Sequence, residues 1–370
     1  MMFKIKAFIK KEVVLCISLL CAVATMFFVP PDMQYTSYID FRVLCLLFSL
    51  MAVVAGFKAV GAFKWLTSEL LSRIKNGHIL GFTSVMLVFF SSMFVTNDVA
   101  LLIFVPFTIG LLNELQLKKS MIPMLVIQTV AANLGSMATP VGNPQNLFLY
   151  SNYDLSIGEF FSVTLPLTVL SFLVLGAVSF FILPKQLNQS LVSGEKISIN
   201  KSLIIYLVLF VLCLFTVFKI VPYYITTVII LATVIIIDKK LFKDIDFMLL
   251  LTFVCFFVIS ENLGRIDAVK DFLSSLLSKN TLLSCIGASQ VISNVPAAVL
   301  LSGFTKDWRS VLAGVNIGGL GTPVASLASL ITLKLYMRQK NAKSLKFIAV
   351  FSLVNVVGLL MLIGFYSLIL

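Results

Sequence analysis

Two short polar clusters, Thr96-Asn97-Asp98 and Ser293-Asn294-Val295-Pro296, interrupt long apolar runs of the chain. Their hydroxyls, amides and single carboxylate are groups that coordinate ions. A carboxylate placed at the centre of a membrane helix costs about 2.5–3.5 kcal/mol on insertion scales, so Asp98 marks a pathway, a partner or a proton carrier. The structural alternative is that Asp98 is the N-cap of the helix beginning Val99-Ala100-Leu101. Glu261, in Ser260-Glu261-Asn262 with Arg265 one turn later, is a weaker candidate that fits an interfacial position.

Two further interruptions share the pattern N-x-G-x-x-x-T-P-V, from Asn133 to Val141 and from Asn316 to Val324. Thr139, Asn143, Asn146, Thr322 and Ser326 lie within or just beyond them. Pro140, Pro144, Pro296 and Pro323 each remove a backbone donor and push the preceding residue out of the helical region, which breaks a span in mid-course. A broken helix offers a positive amino end to anions and unwound carbonyls to Na⁺. For any one Asn or Thr, capping or helix–helix bonding is an equal reading. The matched set points to a binding site, with a cation such as Na⁺ held at Asn97, Asp98 and Asn294. A second register, pairing Gly142-Asn143-Pro144 with Gly321-Thr322-Pro323, stays open on sequence alone.

The elements that must position these residues are membrane spans. The 370 residues are 59% hydrophobic and 12% charged, against about 25% charged in a soluble domain, so no soluble domain is left over. Spans are predicted at 13–29, 41–57, 121–150, 160–183, 203–219, 222–237, 247–263, 311–333 and 347–369. Residues 79–113 and 281–305 are predicted as re-entrant helical hairpins, because polar non-helical backbone at membrane depth must be covered by protein or water. The fold class is therefore an all-α polytopic membrane protein with an inverted-topology repeat. The first repeat covers 1–183, a cytoplasmic loop and linking span 184–219, and the second, inverted repeat 220–370.

The net charge of +12 sits in short loops beside spans, which suits a bilayer with those loops and the amino terminus in the cytoplasm, and not nucleic acid. All six cysteines lie inside apolar runs, and the single His78 has no companion ligands. There is no GxxxxGKS loop, no HExxH and no nucleophile–base pair, so neither ATP hydrolysis nor another enzyme activity is expected, and no cofactor beyond a coupling ion.

At these motifs the chain resembles the ion transporter superfamily, especially its citrate-transporter-like permeases, divalent anion/sodium symporters and arsenite-permease relatives. The resemblance covers nearly the whole chain. The family's repeated Ser-Asn-Thr signature is matched by Thr96-Asn97-Asp98 and Ser293-Asn294-Val295, and its Thr-Pro loops by Gly142-Asn143-Pro144-Gln145-Asn146 and Gly321-Thr322-Pro323. It implies two cation sites flanking a central anion, a transport domain sliding on a scaffold, and a homodimer. The sequence departs from the family at the third signature position, where Asp98 and Val295 replace a hydroxyl, so H⁺ coupling stands beside Na⁺ coupling. The function expected is secondary active transport of a small anion, organic carboxylate or inorganic oxyanion, in a bacterial inner membrane. A passive channel and a cation/proton antiporter are the alternatives.

Overall fold

The computed structural model describes residues 12–63, 65–66, 74, 76–187, 201–339 and 342–369. The amino-terminal lysines and parts of the basic loops 58–75 and 185–201 lie outside the described residues. Among those described, helix dominates and no strand forms.

The helices, in order, are α1 (Val13–Met26), α2 (Phe41–Ala59), α3 (Gly77–Val95), α4 (Asn97–Glu114), α5 (Met121–Ser136), α6 (Pro144–Asn152), α7 (Ile157–Phe180) and α8 (Lys201–Val217). There follow α9 (Tyr223–Ile237), α10 (Phe247–Gly264), α11 (Asp267–Lys279), α12 (Thr281–Ile292), α13 (Asn294–Ser302), α14 (Trp308–Ile317), α15 (Leu327–Met337) and α16 (Ser344–Ile369). Six of them, α2, α3, α4, α7, α10 and α16, are long and apolar enough to cross a membrane. With exposed Ile, Leu, Val and Phe along their outer faces, the chain is an all-α polytopic membrane protein.

Polar caps start the spans where apolar sequence begins. The side chains of Asp40, Asn76, Asp246, Asn280 and Asp307 each accept from a first-turn N–H, and Ser156 with Glu159 forms a capping box on α7. Such caps satisfy donors that a helix cannot pair internally.

The predicted spans 121–150 and 311–333 are each two helices, α5 with α6 and α14 with α15, separated by the Thr-Pro segments. Between the predicted spans 247–263 and 281–305 lies the amphipathic helix α11, whose Phe272 and Leu276 stay exposed. Its charged residues, Asp267, Lys270, Asp271 and Lys279, keep it from forming an apolar run.

Contacts at the helix ends sort the loops onto two faces. On one, Gly77 N–H donates to the Lys185 carbonyl (3.0 Å), the Ser120 hydroxyl to the Ile182 carbonyl (3.1 Å), and Asn113 to Gln339 (3.2 Å). One length of α7 away, the Tyr153 hydroxyl donates to the carbonyls of Ser302 and Thr305 (3.1 Å each), and Lys219 pairs with Asp154 (2.5 Å). The hairpin α3–α4 opens on the first face and α12–α13 on the second. The first face carries Lys118, Lys119, Lys185, Arg338 and Lys343.

Candidate functional site

Each hairpin turns on one residue held at positive φ. Thr96 has φ 69° and ψ 151°, and Ser293 has φ 74° and ψ 156°. This region is all but reserved for glycine, costs about 1–3 kcal/mol, and is doubly unusual for the β-branched Thr96. The same strain recurring at both tips marks them as equivalent. The helix that follows each tip begins with an asparagine, Asn97 or Asn294, both buried.

Behind each tip the repeated motif packs in the same way. Gly135 lies so close to α3 that a Cβ would meet the Phe89 carbonyl at 2.2 Å and Ser92 Oγ at 2.6 Å. At Gly318 a Cβ would meet Ser289 Oγ on α12 at 2.8 Å. The Thr139 hydroxyl donates to the Met93 carbonyl near the end of α3, and the Thr322 hydroxyl to the Gln290 carbonyl at the end of α12 (3.1 Å). Both threonines thus satisfy carbonyls that the hairpin helix leaves unpaired. Asn143 and Ser326, each ten residues after the motif asparagine, are the extended N-cap residues of α6 and α15. The unshifted register, Asn133 with Asn316, is the one that aligns these roles.

Across the centre the two halves exchange hydrogen bonds. Asn133 Oδ1 accepts from Asn97 Nδ2 (3.0 Å) and from Ser326 Oγ (2.9 Å). Asn316 donates to Asn146 Oδ1 (2.7 Å) and accepts from Asn143 Nδ2 (3.4 Å). All six residues are buried. The helices cross over likewise, α15 packing on α4 and α13 on α6.

Between the tips lies a cavity of about 40 Å³. Its lining comes from the first turns of four helices: Asn97 and Asp98 of α4, Pro144 and Gln145 of α6, Asn294, Val295 and Pro296 of α13 with Ser293, and Leu327 of α15 with Ser326. Val14, Leu249, Thr252 and Phe256 close it. Four positive helix ends therefore converge on one space. No N-cap side chain bonds the first turn of α4, α13 or α15; at α13 the Asn294 N–H donates to the Ala325 carbonyl (3.0 Å) and Pro296 has no N–H, so Val295 N–H is the backbone donor left there. Among the described residues, no lysine or arginine lines the cavity.

Asp98 is the second residue of α4; the N-cap position belongs to Thr96, and the Asp98 N–H is taken by Asn97 Oδ1 (2.9 Å). Capping does not account for Asp98, and none of the described residues hydrogen-bonds its carboxylate, which borders the cavity.

Of the residues singled out in the sequence, Asn97, Asp98, Ser293, Asn294 and Ser326 line the cavity together with Pro144 and Pro296. Asn143 and Asn146 stand one layer behind it, and Thr96 shapes the tip. Thr139 and Thr322, with Pro140 and Pro323, hold the breaks against the hairpins and do not reach the cavity. Glu261 is exposed on α10, away from it. Sequence reasoning left out Asn133, Asn316, Gln145 and Gln290. The first two were in view as the opening letter of the repeated motif and Gln145 inside the Gly142-Asn143-Pro144-Gln145-Asn146 match; nothing local distinguished Gln290.

The breaks already use several of their carbonyls. The carbonyls of Met137 and Thr139 accept from Asn146, those of Gly318 and Leu320 accept from Gln290, and Val295 at the second tip offers no side-chain oxygen.

Known proteins are similar to this chain in sequence. An uncharacterized transporter of Methanocaldococcus jannaschii is 31% identical over 336 residues, covering 90% of this chain and 91% of its own. The inner membrane protein YbiR of Escherichia coli is 29% identical over 323 residues, 86% of each chain. The silicon efflux transporter LSI3 of rice is 35% identical over 135 residues, 36% of this chain and 27% of its own. The citrate transporter family profile matches residues 1–306, which takes in the first hairpin, both tips and the cavity residues up to Pro296. With a profile match over most of its length and a transporter matched over 91% of that relative's own length, this chain belongs to the citrate transporter family of membrane transporters.

Proposed function

We propose that this protein is a secondary active transporter that moves a small anion, an organic carboxylate or an inorganic oxyanion, by alternating access around the cavity between the hairpin tips. The observation that carries this reading is the convergence of four helix amino ends, three of them without an N-cap side-chain bond, on one partly enclosed space. Such ends hold anions through backbone N–H groups and need no lysine or arginine. Asn294 Nδ2, which donates to none of the described residues, adds a side-chain donor at the same place. The family name points toward carboxylates, and the relative named for silicon efflux toward inorganic oxyacids.

Asp98 sets the coupling. A carboxylate and an anion a few ångströms apart repel by several kcal/mol in a protein interior, so the anion enters when Asp98 is protonated and leaves as the proton does. Proton-linked transport follows, with Asp98 the proton carrier. The opposite openings of the two hairpins suit an inverted repeat, in which each gates one side of the membrane. The lysine-rich face is the cytoplasmic one, and the protein resides in a cell membrane as a carrier and not an enzyme. A homodimer is the expected assembly.

The test is uptake and counterflow of a panel of citrate, dicarboxylates, phosphate, arsenite and silicate into proteoliposomes, under an imposed H⁺ gradient, an imposed Na⁺ gradient, or neither. Concentrative uptake driven by H⁺, with counterflow, is expected, and D98N should fold yet lose the response to the H⁺ gradient. Downhill, voltage-following flux without counterflow would make the protein a channel and sink the carrier reading.

A further inference from the structure

The two helix breaks expose backbone carbonyls of the kind that coordinate a cation, and in each break one amide nitrogen already stands among them. At the second break Gln290 Nε2 donates to the carbonyls of Gly318 and Leu320 (2.9 Å each) and Ile286 (3.3 Å). Its orientation is fixed from the other end, because Gln290 Oε1 accepts from Thr322 N–H (2.8 Å). Turned over, it would set oxygen against three carbonyls and lose the Thr322 bond. Gly321, at φ 109°, makes room: a Cβ there would lie 2.2 Å from Gln290 Oε1.

At the first break the residue equivalent to Gln290 is Met93, which cannot donate, and the task falls to a different side chain. Asn146 Nδ2 donates to the carbonyls of Met137 and Thr139 (3.2 Å each), with Ser136 at 3.5 Å. Its orientation too is fixed, since Asn146 Oδ1 accepts from Asn316 (2.7 Å). Two unrelated positions, one on a hairpin and one past a break, thus supply the same group to the same kind of carbonyl cluster.

We propose that the amides of Gln290 and Asn146 occupy, in the two breaks, the places that bound sodium ions would otherwise take, so that the breaks are held in shape without Na⁺. An amide N–H₂ group presents positive hydrogens to converging carbonyls, as a cation does, but it is covalently fixed and cannot leave with the substrate. This rests on the cavity being the transport site and adds that cation coupling there runs through Asp98 alone.

The test needs no transported substrate. Thermal unfolding of the purified protein is measured in NaCl and in KCl at equal ionic strength and alkaline pH, for wild type, D98N, Q290E and N146D. The carboxylate variants replace the fixed donor by an oxygen and so build a cation site. Expected are no saturable Na⁺-specific rise in Tm for wild type, or one that D98N removes, and a new saturable rise for Q290E, N146D or both. A wild-type rise that persists in D98N would overturn the proposal, as would well-folded Q290E and N146D proteins indifferent to Na⁺. Absence of anion uptake in proteoliposomes would defeat the transport reading separately, leaving this comparison intact.

Discussion

At the scale of single residues, the centre of the molecule is a set of buried amides whose donors and acceptors are matched across the two halves. Asn133 Oδ1 receives two donors, from Asn97 and Ser326. Asn133→Ala orphans both in a buried setting, and each unpaired group costs about 1–3 kcal/mol, so a clear fall in Tm is expected by thermal denaturation in detergent. Thr96 behaves oppositely. Its side chain makes no cap bond and its φ is 69°, so Thr96→Gly relieves backbone strain and should raise stability by up to about 1 kcal/mol in the same assay. A fall in Tm for that variant would mean the methyl and hydroxyl groups of Thr96 pack more usefully than its backbone strain costs.

Among the elements, close approach of α5 to α3 and of α14 to α12 depends on the motif glycines. Gly135→Ala drives a Cβ into the Phe89 carbonyl, main-chain atoms that cannot swing aside, and overpacking of this kind costs about 1–3 kcal/mol or more. Gly364→Ala on α16 meets nothing within 4 Å and should be neutral within about 0.5 kcal/mol. Comparing the two by Tm separates helix approach from general sensitivity to alanine. The Thr139 and Thr322 bonds tie each break to its own hairpin, so hairpin and break should move together whenever the cavity opens.

For the whole molecule, the distinguishing prediction concerns pH. Outside the membrane segments, the Arg265 guanidinium bonds Asp32 (2.7 Å) and holds its carboxyl below the usual carboxylate range. A depressed acid contributes stability above its unfolded pKa, about 3.9 for Asp, and loses it only as pH falls through the lower folded value. That contact is therefore constant over the neutral range. Proton-driven uptake measured between about pH 5 and 8 should keep its profile in D32N and lose it in D98N. If D32N flattens the profile instead, coupling lies at the outer loop and not in the cavity.

The sequence by itself determined the membrane class, both hairpins, both breaks and the polar residues at the tips, because polar groups inside apolar runs are costly and stand out against them. The motif Asn-x-Gly-x-x-x-Thr-Pro-Val, recurring at Asn133 and Asn316, carried the repeat. Only the tertiary structure decided which of these residues face the cavity. Thr139 and Thr322 look like ligands in the chain, but in the fold their hydroxyls donate to hairpin carbonyls and they lie away from the cavity. Asn133 and Asn316 look like motif spacers, but folding makes them the bonds between halves. Gln290 gave no local sign at all: a glutamine on a helix reads as an ordinary polar residue until carbonyls from a break some thirty residues later close around its amide. Period and composition are local properties and survive in one dimension. The partner of a hydrogen bond is set by which helices pack together, and for Asn133 with Ser326 and Asn316 with Asn146 those helices come from opposite halves of the chain.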